Sequence, residues 1–249
     1  MIDVALTPAD LKQMNAANAQ VVVLDVLRAS TTIVMALSNG AREVRMFDTH
    51  EGAEKARDAF IAGGKKPTVL GGEKNCLKAP GFDLGNSPRE YTTENVGGST
   101  IFLATTNGTR AAVAAKEAGA QRILIGSLVN AGATAGALVE ELSNMDTILL
   151  CAGTNGRPAC EDLIGAGAIL FSILGQTYRP DLPFGDLAWS AYHAFSAVRP
   201  RLGAALRLGA GGVNVIEAGL EDDIDVCAAI DSRGMAVEVG EGLVARKRV

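Results

Sequence analysis

The sequence predicts an α/β fold of three layers, with helices on both faces of a mostly parallel or mixed sheet. Three observations predict it. Short β-branched runs alternate with alanine-rich helical stretches through the first 175 residues, the order expected of strand-helix units in a parallel sheet. Aromatic residues make up only 4% of the chain, so small residues must build the core by close helix-on-sheet packing. The leading run, VVVLDV (21–26), is apolar up to its penultimate residue, as in a strand covered on both sides.

The elements follow in order. After VVVLDV comes a helix over 30–40, closed by Gly40. EVRMFD (43–48) is the next strand, and Thr49 with Glu51 starts a helix that runs to about Gly63. TVLGGE (68–73) ends in a glycine turn. The stretch from Lys74 to Gly98 is rich in glycine, proline and asparagine and lacks periodicity. A loop of that length in a compact domain is more often functional than idle. Strands at 100–105, 122–127 and 147–152 alternate with helices at 109–118, 130–142 and 160–175. A linker is expected at 178–186, then helices from Leu187 to about Leu208, the acidic segment 219–231 and a strand at 235–239. Residues 1–249 read as one domain, with 187–249 an extension packed on it.

The formal charge of −5 gives no basic face for a nucleic-acid backbone. No apolar run approaches the roughly 18 residues of a membrane span, and residues 1–15 lack the pattern of a signal peptide. The four cysteines have no framework spacing. These features lead us to expect a cytoplasmic protein with reduced thiols, no membrane or nucleic-acid partner, and assembly as a homo-oligomer.

Ligands of open α/β sheets bind beyond the carboxyl ends of the strands, and three strand ends share a design. They carry Leu27-Arg28-Ala29-Ser30-Thr31-Thr32, Thr106-Asn107-Gly108-Thr109-Arg110 and Gly153-Thr154-Asn155-Gly156-Arg157. Each offers hydroxyls or amides, one arginine and the start of a helix, whose N-terminus favours an anion. Arginine grips phosphate or sulfonate through paired hydrogen bonds. Arg28, Arg110 and Arg157, with Ser30, Thr106, Asn107, Gly108, Thr109 and Thr154, are therefore expected to bind a small polyanionic substrate. Asn86, Ser87 and Arg89 on the long loop would close over it.

Asp25 and Glu73 end apolar strands, where a carboxylate is costly without a partner. With Asp162 they are expected to hold Mg²⁺, which binds through one or two carboxylates plus substrate phosphate. Asp25, Arg28 and Glu73 are the expected catalytic set. The bland alternative pairs Asp25 with Arg28 and leaves Glu161 and Asp162 to stabilise a helix start. A second mechanism rests on Cys151 and Arg157, whose spacing resembles the phosphate loop of cysteine-dependent phosphatases. A third reading is an anion-binding protein without turnover. The acidic run Glu221-Asp222-Asp223 with Asp225 is expected to be a solvated helix start.

LDVLRASTTI (24–33), GGE (71–73), GFDLGNSPREY (81–91), TTNGTRA (105–111), CAGT (151–154) and ED (161–162) together resemble the 2-phosphosulfolactate phosphatase family. The segment 219–231 is similar to that family's C-terminal portion. The resemblance implies a Mg²⁺-dependent phosphatase that converts 2-phosphosulfolactate to sulfolactate and phosphate in coenzyme M biosynthesis. Such a substrate carries phosphate, sulfonate and carboxylate.

Overall fold

Val21, Val22, Val23 and Leu24 are fully buried, and their side chains alternate between two separate hydrophobic clusters. A strand sends successive side chains to opposite faces, so this strand has an apolar layer on each side. The computed structural model describes residues 1–64, 67–177 and 182–248. Among them, ten strands form one sheet: β1 (Ile2–Ala5), β2 (Ala19–Leu24), β3 (Glu43–Phe47), β4 (Thr68–Lys74), β5 (Leu77–Lys78), β6 (Thr100–Ala104), β7 (Arg122–Gly126), β8 (Asp146–Cys151), β9 (Val237–Gly240) and β10 (Val244–Lys247). Their order is β1-β8-β2-β7-β9-β10-β3-β6-β4-β5.

The architecture is the expected three-layer αβα arrangement with a mixed sheet. The helices Ala29–Ser38 and Asn107–Glu117 bring Ile33, Val34, Ala111 and Ala115 against Val21 and Val23 on one face. On the other, Ala131–Val139, Cys160–Thr177 and Asp186–Val198 pack on Val22 and Leu24. The same face of the second half is covered by His50–Ala62, where Phe60 meets Phe102 edge-on at 5.4 Å. Fully buried Phe102 is worth about 3–5 kcal/mol against truncation to alanine. No helix among the described residues is long and apolar enough to cross a membrane.

β1, β8, β2 and β7 are parallel to one another, and so are β3, β6 and β4. Between the two sets lies the antiparallel pair β9 and β10. The C-terminal segment packs its helix Asp186–Val198 on the sheet and also supplies two central strands, β9 near the expected 235–239 and the unforeseen β10. β10 escapes detection because VARK has neither length nor an apolar run. β1 and β5 are similarly short, and residues 178–181 of the expected linker lie outside the described residues.

Traced through the antiparallel pair, the two parallel sets run in opposite senses. Five steps separate β2 from β6, and a sheet twist of roughly 20–25° per step accumulates to about 100° or more. The carboxyl ends of β2, β4, β6 and β8 all reach one cavity.

Candidate active site

Asp25 follows β2 at the entrance to the Ala29–Ser38 helix. Its N–H donates to Ser30 Oγ at 2.8 Å, and its carbonyl accepts the Ser30 N–H at 2.8 Å. These contacts aim the side chain back over the helix start, where Oδ1 accepts the Ala29 N–H at 3.2 Å. On the other side, a Cβ at Gly108 would lie 3.1 Å from Asp25 Oδ2. Glycine lets that backbone approach and donate its N–H to the carboxylate. Burial pushes the Asp25 pKa up to about 6. The Ala29 and Gly108 N–H groups oppose that rise, the Glu73 charge adds to it, and Arg28 opposes it.

Glu73 is the penultimate residue of β4, and a two-residue turn follows the strand, Asn75-Cys76, in which both residues have positive φ (53° and 67°). The Cys76 N–H donates to Glu73 Oε2 at 2.8 Å, and the Cys76 carbonyl accepts Arg28 Nη2 at 2.5 Å. Arg28 Nη1 donates to Asp223 Oδ2 at 2.7 Å, and Ser87 Oγ donates to Asp223 Oδ1 at 2.6 Å. One turn of backbone thus ties the acidic and basic groups of the site together.

The long loop packs closely along β4 because the strand carries glycines at 71 and 72. A Cβ on Gly71 would lie 2.1 Å from Tyr91 Oη, and one on Gly72 2.8 Å from the Phe82 ring. Asp83 and Leu84 donate their N–H groups to the Leu70 carbonyl at 2.9 and 3.1 Å, laying the loop along β4. Asn86 is then held by its carbonyl, which accepts Thr32 Oγ1 at 2.9 Å. Its side-chain Oδ1 is buried beside the cavity and has no hydrogen-bond partner among the described residues.

The cavity measures about 90 Å³ and is lined by Asp25, Arg28, Glu73, Asn86, Thr106, Asn107 and Thr154, all expected from the sequence. Leu27, Cys76, Thr105, Gly211, Asn214 and Val215 line it too. The last three belong to the Ala210–Glu217 helix, for which no local motif exists. A neighbouring cavity of about 390 Å³ shares Cys76 and Asn214.

Other expected site residues are found behind or outside the cavity. Ser30 braces the Asp25 backbone, and Thr109 donates to the Phe47 carbonyl at 3.1 Å. Gly108 supports Asp25, and Ser87 serves Asp223. Arg89 pairs with Asp222 at 2.8 Å on the surface. The side chains of Arg110 and Arg157 are exposed and do not line the cavity. Arg110 lies on the helix face opposite buried Ala111, Ala112 and Ala115. Only Arg28, of the three expected arginines, reaches the site.

Asp162 does not line the cavity; its Oδ1 accepts the Val26 N–H at 2.8 Å and its Oδ2 the Gly153 N–H at 3.0 Å. It clamps the ends of β2 and β8 from behind. Burial pushes its pKa well up, and Asp25 and Glu161 add to the rise. Among the described residues no three acidic, histidine or cysteine side chains gather as a metal cluster. Asp25 and Glu73 do face one cavity, with the unpartnered Asn86 Oδ1 beside them. An oxygen set with two carboxylates meets what Mg²⁺ asks of a protein.

Cys151 is fully buried in the cluster beneath the sheet, and burial pushes its thiol pKa well up, with Asp162, Glu161 and Asp10 adding. It does not line the cavity. A thiolate nucleophile needs the reverse conditions.

The family model described as 2-phosphosulpholactate phosphatase matches residues 5–241. The chain belongs to the 2-phosphosulfolactate phosphatase family. Membership places it among the phosphoric monoester hydrolases. A relative from Caldanaerobacter subterraneus subsp. tengcongensis, named a probable 2-phosphosulfolactate phosphatase, is 36% identical over 96% of this chain and 93% of its own length. Relatives of the same name from Clostridium novyi and Thermotoga petrophila are 37% and 38% identical over 92% and 93% of this chain, and 93% and 92% of their own lengths.

Proposed function

We propose that this chain hydrolyses 2-phosphosulfolactate to sulfolactate and phosphate with the help of Mg²⁺. The observation that carries the reading is the convergence of Asp25, Glu73 and Arg28 on one cavity ringed by hydroxyl and amide groups. Asp25 and Glu73, with Asn86 Oδ1, would hold the cation. Bound there, Mg²⁺ supplies positive charge to offset the phosphoryl oxygens and Lewis acidity toward the reacting centre. Arg28 presents its remaining N–H groups to the phosphoryl group, and the Thr105 and Thr106 hydroxyls donate beside it. Asn107, Thr154 and Asn214 offer neutral donors to sulfonate and carboxylate. Leu27 and Val215 give the cavity its apolar lining, which would limit bulk water. In the reaction a water oxygen bonds to phosphorus, the ester P–O bond breaks, and the departing alkoxide takes a proton to become the 2-hydroxyl.

The deciding experiment is phosphate release from a panel of 2-phosphorylated sulfonates and carboxylates, with Mg²⁺ and with EDTA. We expect release from the sulfonate in Mg²⁺ and none in EDTA. Release from no member of the panel would overturn the phosphatase assignment for this chain, and undiminished release in EDTA would overturn the metal.

A further inference from the structure

We propose that Asp223 is a positioning residue for Arg28, fixing from outside the cavity the guanidinium that grips the substrate's phosphoryl group. The proposal rests on the phosphatase reading above for the identity of that group. The Arg28 and Asp223 side chains are 2% and 1% exposed, and Nη1 meets Oδ2 at 2.7 Å. A guanidinium stripped of water at this level requires partners. Arg28 has two, Asp223 on one amino group and the Cys76 carbonyl on the other at 2.5 Å.

The guanidinium is planar, with its five N–H donors in a fixed fork. Pinning both amino groups leaves the plane no freedom to rotate, so the donors that remain have set directions. Arg28 lines the cavity and Asp223 does not; the acid therefore acts through the arginine. Asp223 is itself held, because Ser87 Oγ donates to its second oxygen at 2.6 Å. Ser87 follows Asn86, so the clamp joins the loop that brings Asn86 to the cavity to the helix Asp222–Cys227. Ile224 and Cys227 of that helix are buried in the core, which makes it a stiff anchor.

Asp223 also offsets the charge of Arg28, and among the described residues the cavity-lining Asp25 and Glu73 form no ion pair. Phosphate recognition by Arg28 then depends on the direction of its donors more than on net charge. Asp222 provides a control, since it pairs with Arg89 on the exposed surface, where such pairs contribute little.

The test compares wild type with Asp223→Asn, Ser87→Ala and Asp222→Asn. KM and kcat for the 2-phosphosulfonate, orthophosphate affinity by calorimetry, and the melting midpoint are measured on each. A hydrogen bond to a charged group carries about a tenfold to hundredfold effect. Asp223→Asn should raise KM and the orthophosphate Kd in that range, with a smaller fall in kcat. Ser87→Ala should raise both by about threefold, and Asp222→Asn should change neither. Ser87→Ala also serves if Asp223→Asn does not fold. In the Arg28→Lys background the Asp223→Asn effect on Kd should largely vanish, because the fork it positions is gone.

A lower melting midpoint with unchanged KM and Kd would reduce Asp223 to a structural brace and overturn the proposal. Fully additive effects of Arg28→Lys and Asp223→Asn would do so too. Failure of wild type to release phosphate, with orthophosphate still bound, removes the phosphatase reading and leaves the calorimetry to judge Asp223. Failure of wild type to bind orthophosphate at all overturns the proposal, since Arg28 then holds no phosphate.

Discussion

Cys76 gives its N–H to the carboxylate of Glu73 at 2.8 Å across a two-residue turn that Cys76 itself strains. Its φ of 67° lies in the left-handed region, which costs a non-glycine residue roughly 1–2 kcal/mol. The contacts to Glu73 and Arg28 both use backbone atoms. Cys76→Gly should therefore keep them, hold or raise the melting midpoint, and leave kcat/KM within about threefold of wild type. A large loss of activity would show that the thiol itself takes part.

The buried Asp25 contributes to the pH dependence of the metal-free protein, beside Asp162 and Glu161, whose carboxyls burial also pushes up. The Asp25 pKa moves from an ordinary 3.8 to about 6 on folding. Between those values the folded chain binds more protons than the unfolded one, so stability falls as pH rises through this window and stays lower above it. The shift corresponds to a contribution on the order of 3 kcal/mol. In EDTA, Asp25→Asn should melt higher than wild type at pH 8, with the difference shrinking toward pH 4. The same variant should be inactive in Mg²⁺. An equal gap at both pH values would contradict the burial argument.

Exposure separates the arginines. Arg110→Ala and Arg157→Ala should each retain kcat/KM within about threefold, because neither side chain reaches the cavity. Arg28→Lys should lose about tenfold or more, since lysine cannot span Asp223 and Cys76 while facing the substrate. Steady-state kinetics on the three variants would settle the ranking, and equal losses would restore the three-arginine picture.

Thiol chemistry should miss the buried cysteine. With iodoacetamide at neutral pH, peptide mapping should find Cys160, which is exposed, modified well before Cys151. Cys151→Ala should turn over substrate normally in Mg²⁺, at some cost in stability from the lost core contact. Inactivity of a folded Cys151→Ala would revive the cysteine mechanism.

The central strands were legible because burial on both faces writes itself as an apolar run, as in Val21 to Leu24. β1, β5 and β10 were not, being two to four residues long and carrying little apolar pattern. Asp25 and Glu73 stood out as carboxylates at the ends of such runs. Arg110 and Arg157 share the motif yet stay outside the cavity lining, since a motif fixes a residue's place along the chain and says nothing of which way its side chain turns. Gly211, Asn214 and Val215 carry no local mark. Asp223 was hidden for a related reason: its acidic neighbours are solvated, and its own burial makes sense only with Arg28, 195 positions away.

The hairpin of β9 and β10 has a consequence for the order of synthesis. It joins the two parallel halves by hydrogen bonds on both sides, yet residues 237–247 are made after every other strand. Until they emerge from the ribosome, β7 and β3 present unpaired edges, a template for pairing with other chains. Both edges therefore stay open until the hairpin is made, although the helices Ala29–Ser38 and Asn107–Glu117 already bridge the halves around Asp25.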